Sequence, residues 1–153
     1  MRWVTRVVGE ASCIVSMPQV VGKQRPQFNG RQRRTYTPAK TERAEEAIAS
    51  AWREQVGECW KGHDGPVAVE IAAEQPLAKS NAKYWAGRAF KGKPDADNIA
   101  KLVLDSLNEL AYADDAQIVD MRVEKMPRTP FGRDAVLRIH VTYRTETYEK
   151  ETI

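Results

Sequence analysis

The stretch KPDADNIAKLVLDSLNELAYADDAQIVD, Lys93 to Asp120, crowds Asp95, Asp97, Asp105, Asp114, Asp115 and Asp120 into one short segment of a chain whose formal charge is +3. Carboxylates that close repel one another unless a cation lies between them. Magnesium is one answer, because it takes a few carboxylate oxygens and leaves open positions where phosphoryl charge is neutralised and water is activated. Asp95 and Asp97, two apart at a turn entering a helix, can aim both carboxylates at one ion. Asp115 follows that helix, and reaches the same place only if the strand after it and the loop before Asp95 are neighbours. Lys101, one turn beyond Asp97, can steady charge on a phosphate or form an i, i+4 salt bridge worth roughly 0.3–0.5 kcal/mol. The structural alternative is helix capping with a favourable helix dipole, each worth about 0.5–1 kcal/mol. Capping needs one carboxylate, which leaves the Asp95 and Asp97 pair together with Asp114 and Asp115 without a local purpose. D-x-D-N also opens EF-hand loops, but the glycine and closing glutamate of those loops are missing.

The elements that must position these residues read as one domain spanning 1–153, since a chain of 153 residues supports a single core. Cys13, Val15 and Met17 alternate in a first strand. Thr37 and Pro38 read as the N-cap and first residue of a helix whose face is Ala44, Ala47, Ile48, Ala51 and Trp52, closing near Gly57. Val67, Val69 and Ile71 make a second strand. Residues 77–92 show no period and read as a long mobile connection. In the helix entered at Asp95, Ile99, Leu102, Val103, Ser106, Leu107 and Leu110 share the core face, with Asp97, Lys101, Asp105 and Asn108 opposite. Val119, Met121 and Val123, then Leu137, Ile139, Val141 and Tyr143, alternate in two closing strands. The order β-α-β-α-β-β implies an α+β two-layer sandwich, a mixed sheet with helices on one face.

Charge is unevenly spread. Gly22 to Arg43 holds seven basic residues against one acid, a balance of +6, and Lys79 to Lys93 holds five basic residues and no acid, interleaved with Tyr84, Trp85 and Phe90. Basic loops with aromatics suit a polyanion with stackable bases, which makes Lys23, Arg25, Arg33, Arg34, Lys91 and Lys93 candidate DNA contacts. The three aromatics read either as wedges into open DNA or as core. Trp3, Trp52 and Trp60 read as core or interface, and His63 and His140 as surface residues rather than ligands. No apolar run approaches the roughly 20 residues of a membrane span, so no membrane partner is expected. The opening MRWVTRVVGEAS lacks the apolar core of a secretory signal, so the expected compartment is the cytoplasm. Cys13 and Cys59 read as two free thiols.

As a whole, DADNIAKLVLDSLNELAYADDAQIVDMRVEKMP, with GKQRP and YTPAKTERAEE before it, resembles the RusA family of Holliday junction resolvases. The family pattern D-x-D-N-x-x-K, a helix, D-D-x-Q-[IV]-V and a strand ending in lysine is complete here. The resemblance implies that Asp95, Asp97 and Asp115 bind Mg2+, with Mn2+ able to substitute, and that Lys101 is the catalytic lysine. Asp114 is the alternative third acid. Asp120 matches a supporting acid and Lys125 a possible DNA contact. It further implies a homodimer that cuts four-way DNA junctions by paired nicks in recombination and repair, with no small-molecule substrate. The alternative is a catalytically silent binder of branched DNA. Residues 1–11 and the stretch CWKGHDG match no motif.

Overall fold

Alternation along each strand decides what is buried, and the strands then have to share one apolar face. The computed structural model describes residues 1–24, 27–30, 34–36, 38–79 and 87–151, of which 27–29 and 34–36 by backbone alone. In chain order the elements are β1 (Arg2–Met17), a small hairpin β2 (Gln27–Asn29) and β3 (Arg34–Tyr36), α1 (Ala39–Gln55), β4 (Val67–Glu74), α2 (Ala96–Leu107), β5 (Ile118–Lys125) and β6 (Ala135–Glu149). The main sheet has the order β1-β6-β4-β5. Only the β4/β5 pair is parallel; β1/β6 and β4/β6 are antiparallel. The expected mixed sheet is present, and the hairpin β2–β3 is an addition to the expected order, inside the basic segment.

Cys13, Val15 and Met17 of β1, Val67, Val69 and Ile71 of β4, and Leu137, Ile139, Val141 and Tyr143 of β6 form one buried cluster. It includes Ile48 and Trp52 of α1 and Ile99, Leu102, Val103 and Leu107 of α2. Each such side chain contributes about 1.5–3 kcal/mol of hydrophobic burial. α1 starts at Ala39 with Pro38 in the N-cap position, one residue later than the sequence suggests. Thr37, read as the cap, lies outside the described residues, as do Tyr84 and Trp85. Cys13 and Cys59 are both free thiols, and burial pushes Cys13 up to about 11.

Three expectations change. Val119 does not face the core: pairing skips from Val67–Ile118 to Ala68–Asp120, so Val119 is a bulge residue, 64% exposed. One inserted residue shifts the alternation at the strand's start, so Ile118 takes the inward place, while Met121 and Val123 pack against the core as the pattern predicts. The described ends of the 77–92 connection are not free: Leu77 donates to the Thr129 carbonyl at 2.9 Å, Ala89 bridges to Pro127, and Phe90 is 1% exposed in the core. Their partners lie in the segment Met126 to Thr129, far on in the chain, where local pattern gives no sign of them. β1 also begins ten residues before its alternating part, because β6 pairs with it as far as Glu149.

The unmatched CWKGHDG stretch has a packing role. Trp60 stacks on Tyr143 with ring centroids 4.1 Å apart, and His63 meets both rings edge-on. His63 Nε2 is buried without a hydrogen-bond partner among the described residues, which corrects its reading as a surface residue. Gly9 lies beneath the indole, where an added Cβ would come within 2.1 Å of Trp60 Cη2. Gly9→Ala is therefore expected to destabilise the fold by about 1–3 kcal/mol, as overpacking does. Urea denaturation followed by tryptophan fluorescence measures this, and an unchanged midpoint would contradict the packing.

Candidate active site

α2 carries the acids because its polar stripe, Asp97, Lys101, Asp105 and Asn108, lies opposite the stripe that enters the core. Asp95 occupies the N-cap position but makes no side-chain cap hydrogen bond. Its carboxylate instead faces the Lys93 ammonium, at 3.0 and 3.2 Å. Asp97 and Lys101 are exposed, and neither has a hydrogen bond or ion pair with its side chain among the described residues. The i, i+4 salt bridge that would make Lys101 purely structural is absent.

At the other end of α2 the two neighbouring acids divide. Asp114 is a cap: its carboxylate accepts from the Ala116 N–H at 3.0 Å, and the Gln117 side chain accepts the Asp114 N–H at 2.9 Å. Gln117 also donates to the carbonyls of His63 and Gly65, pinning this turn to the start of β4. Asp115 has its N–H held by Asn108 Oδ1 at 3.1 Å, while its carboxylate caps nothing. Desolvation, a hydrogen bond with the Asp114 carboxyl, and the charges of Asp114 and Asp105 push the Asp115 carboxyl above the usual carboxylate range.

The expectation that Asp115 returns to Asp95 and Asp97 is not met within one chain. Because β4 and β5 run parallel, α2 must cross back over them, and the loop entering α2 and the loop leaving it lie at opposite ends of the sheet. Asn108, which holds Asp115, follows Asp97 by eleven residues, about 16 Å of helical rise. Among the described residues no three His, Cys, Asp or Glu side chains are placed to hold one metal ion. Asp95 and Asp97 form a two-carboxylate end, and Asp105, Asp114 and Asp115 form a second acidic end.

Since the raised Asp115 group binds its proton more readily folded than unfolded, its charge opposes folding above the raised value. That penalty fades as pH falls through it. Asp115→Asn should thus raise the melting temperature at neutral pH by roughly 1 °C, a small effect because the group is exposed and screened. The advantage should vanish in acid, and calorimetry across pH tests the sign.

Sequence also missed how the candidate DNA contacts are tied down. Lys23, 21% exposed, reaches Glu45 at 2.8 Å and Asp105 at 3.5 Å, and is thereby anchored against both helices. Lys125 donates to the Gly92 carbonyl at 2.6 Å and sits 4.7 Å above the Phe90 ring. Lys91 is exposed, and Lys93 is exposed beside Asp95. Arg25 and Arg33, and the side chain of Arg34, lie outside the described residues. Asp120 pairs with Arg144 at 3.2 Å across the open face of the sheet.

A comparison with known families matches residues 18–142 to the family described as Endodeoxyribonuclease RusA. The chain belongs to the RusA family. Its members are endodeoxyribonucleases that resolve Holliday junctions, and nucleases of this family generally use a divalent metal. Among curated proteins, "Uncharacterized protein YqaN" of Bacillus subtilis (strain 168) is 44% identical over 69 residues, covering 40% of this chain and 49% of that protein. The chain thus spans about half the length of the curated relative it matches. No helix is long and apolar enough to cross a membrane among the described residues.

Proposed function

We propose that this RusA-family chain is a structure-selective endonuclease that resolves four-way DNA junctions by paired symmetric nicks, as a homodimer in the cytoplasm, with Mg2+ as its metal and Mn2+ as a substitute. One observation carries the reading: at the start of α2, Asp95 is released from capping, and Asp97 and Lys101 stand exposed and unpaired on one stripe. Asp97 and Lys101 have no other local partner among the described residues, and Asp95 is held only by the exposed Lys93 ammonium. A divalent ion, when bound, supplies neutralisation of phosphoryl charge and an activated water. Asp95 and Asp97 are the acids suited to hold it. The three-acid set with Asp115 does not assemble in one chain, so Asp115 is assigned to the opposite acidic end. Lys101 would meet the phosphate backbone one turn from Asp97. The basic segment around β2 and β3 would hold the arms, with affinity falling steeply as salt rises.

The separation of Asp115 from the other two acids favours a second reading, a binder of branched DNA that does not cut. One assay divides the two: strand-resolved cleavage of a synthetic four-way junction and of linear duplex, with and without Mg2+. Symmetric nicks on the junction alone, requiring the metal, are the expected result. A junction bound but left intact in both Mg2+ and Mn2+ would establish the silent binder instead.

A further inference from the structure

β4 covers β6 only from Val136 to Tyr143, while β1 follows β6 on to Glu149. Arg2–Val7 and Arg144–Glu149 consequently form a two-stranded ribbon running past the rest of the sheet, outside the family-matched residues 18–142. Two-stranded ribbons are marginal on their own. This one exposes Trp3 at 66%, together with Val7, Val8 and Tyr148, and Trp3 packs on Tyr148 with centroids 5.2 Å apart. Higher along β1 the free edge is covered, since the Gln55 amide bonds both the N–H and the carbonyl of Ile14 at 2.8 Å. No described residue does the same for Arg2–Val7, where β1 is the outermost strand.

We propose that the Arg2–Val7 edge pairs antiparallel with the same edge of a second copy across a two-fold axis at Thr5, joining two sheets into one. The inference rests on the two-copy assembly proposed above and assigns its surface. A polyanion does not fit this ribbon: residues 1–8 and 144–151 hold four basic and three acidic side chains, a balance of +1, against +6 in the Gly22–Arg43 segment. Arg6 is already bound by Glu149, whose carboxyl it holds down at about 2 with help from Thr147. On the β1 edge the register is selective. Opposed residues share a face, so the axis passes through a residue. Centring on Val4 sets Arg2 against Arg6 of the second copy, and centring on Arg6 sets that arginine against itself. Centring on Thr5 sets Trp3 against Val7 and Thr5 against Thr5, both favourable cross-strand pairs, with no like charges opposed. The bulge between Val7 and Gly9 ends the pairing there.

The test has two arms on the full chain. In light scattering at micromolar concentration the native chain should show dimer mass, and Trp3→Lys/Val7→Lys should show monomer mass with unchanged circular dichroism, because both side chains are exposed and charge blocks strand edges. In a Cys59→Ser background, Thr5→Cys should oxidise to a covalent dimer, since opposed Cα atoms roughly 4.5–5.5 Å apart are within disulfide reach. Glu10→Cys in the same background should not. A dimer undiminished by the lysines, or Thr5→Cys that fails to cross-link, would overturn this surface while leaving the two-copy assembly standing. A monomeric native chain would overturn both, and none of these outcomes depends on DNA cutting.

Discussion

Asp97→Asn is expected to bind a four-way junction as the native chain does and to cut it at least about a hundredfold more slowly, since groups merely supporting a metal ligand already account for 10–100-fold. The substitution keeps shape and removes charge. Nothing in the fold depends on that charge: the Asp97 side chain is exposed and has no hydrogen-bond or ion-pair partner among the described residues. Its melting temperature should therefore match that of the native chain, which isolates the effect in chemistry. Asp114→Ala supplies the contrast. It removes the cap on the Asp115–Gln117 turn and should cost about 1 kcal/mol of stability. Gel-shift and single-turnover cleavage on the same junction, run beside thermal melts, read all three quantities. An Asp97→Asn protein that nicks at the native rate would remove the α2 entry from the chemistry.

The contrast between Asp97 and Asp114 shows where sequence succeeds. The stripe Ile99, Leu102, Val103, Leu107 fixes the orientation of α2 by itself, and with it the outward direction of Asp97 and Lys101. Helical periodicity is local, and all of those residues lie on one element. What the pattern does not hold is the distance from Asp97 to Asp115, because that depends on β4 and β5 being parallel neighbours, a pairing between segments some 50 residues apart. The two halves of the acid motif read as one cluster in the sequence and lie at two ends of a helix in the fold. The same reason explains Val119, which a single bulge turns outward while Met121 and Val123 keep the core face, and the first ten residues, whose strand exists because β6 extends to meet it. Capping was legible as a possibility at both Asp95 and Asp114. Only hydrogen-bond geometry shows that Asp114 caps and Asp95 does not.

Phe90→Ala is expected to lower stability by about 3–5 kcal/mol, the range for truncating a buried aromatic ring, which for a chain of this length means a melting point lower by roughly 10 °C. Sequence left Phe90 as either a wedge for open DNA or a core residue, and the ring, 1% exposed, is core and has no face for a base. It anchors the approach to the site. Lys125 sits 4.7 Å and Arg128 5.6 Å from its centroid, Lys125 also holds the Gly92 carbonyl, and Ala89 bridges to Pro127. Residues 89–92 are thereby fixed to the end of β5, and Lys93 and Asp95 follow them directly. Loss of the ring should loosen Asp95 as well as the core, so cleavage should fall even at temperatures where the variant is still folded. Phe90→Leu keeps most of the volume and loses the cation–π contacts, and should cost only about 1–2 kcal/mol. Denaturant titration of both variants, with cleavage measured well below their melting points, orders the two effects. A Phe90→Ala protein of native stability that had lost only junction binding would reverse the assignment and return the ring to the DNA.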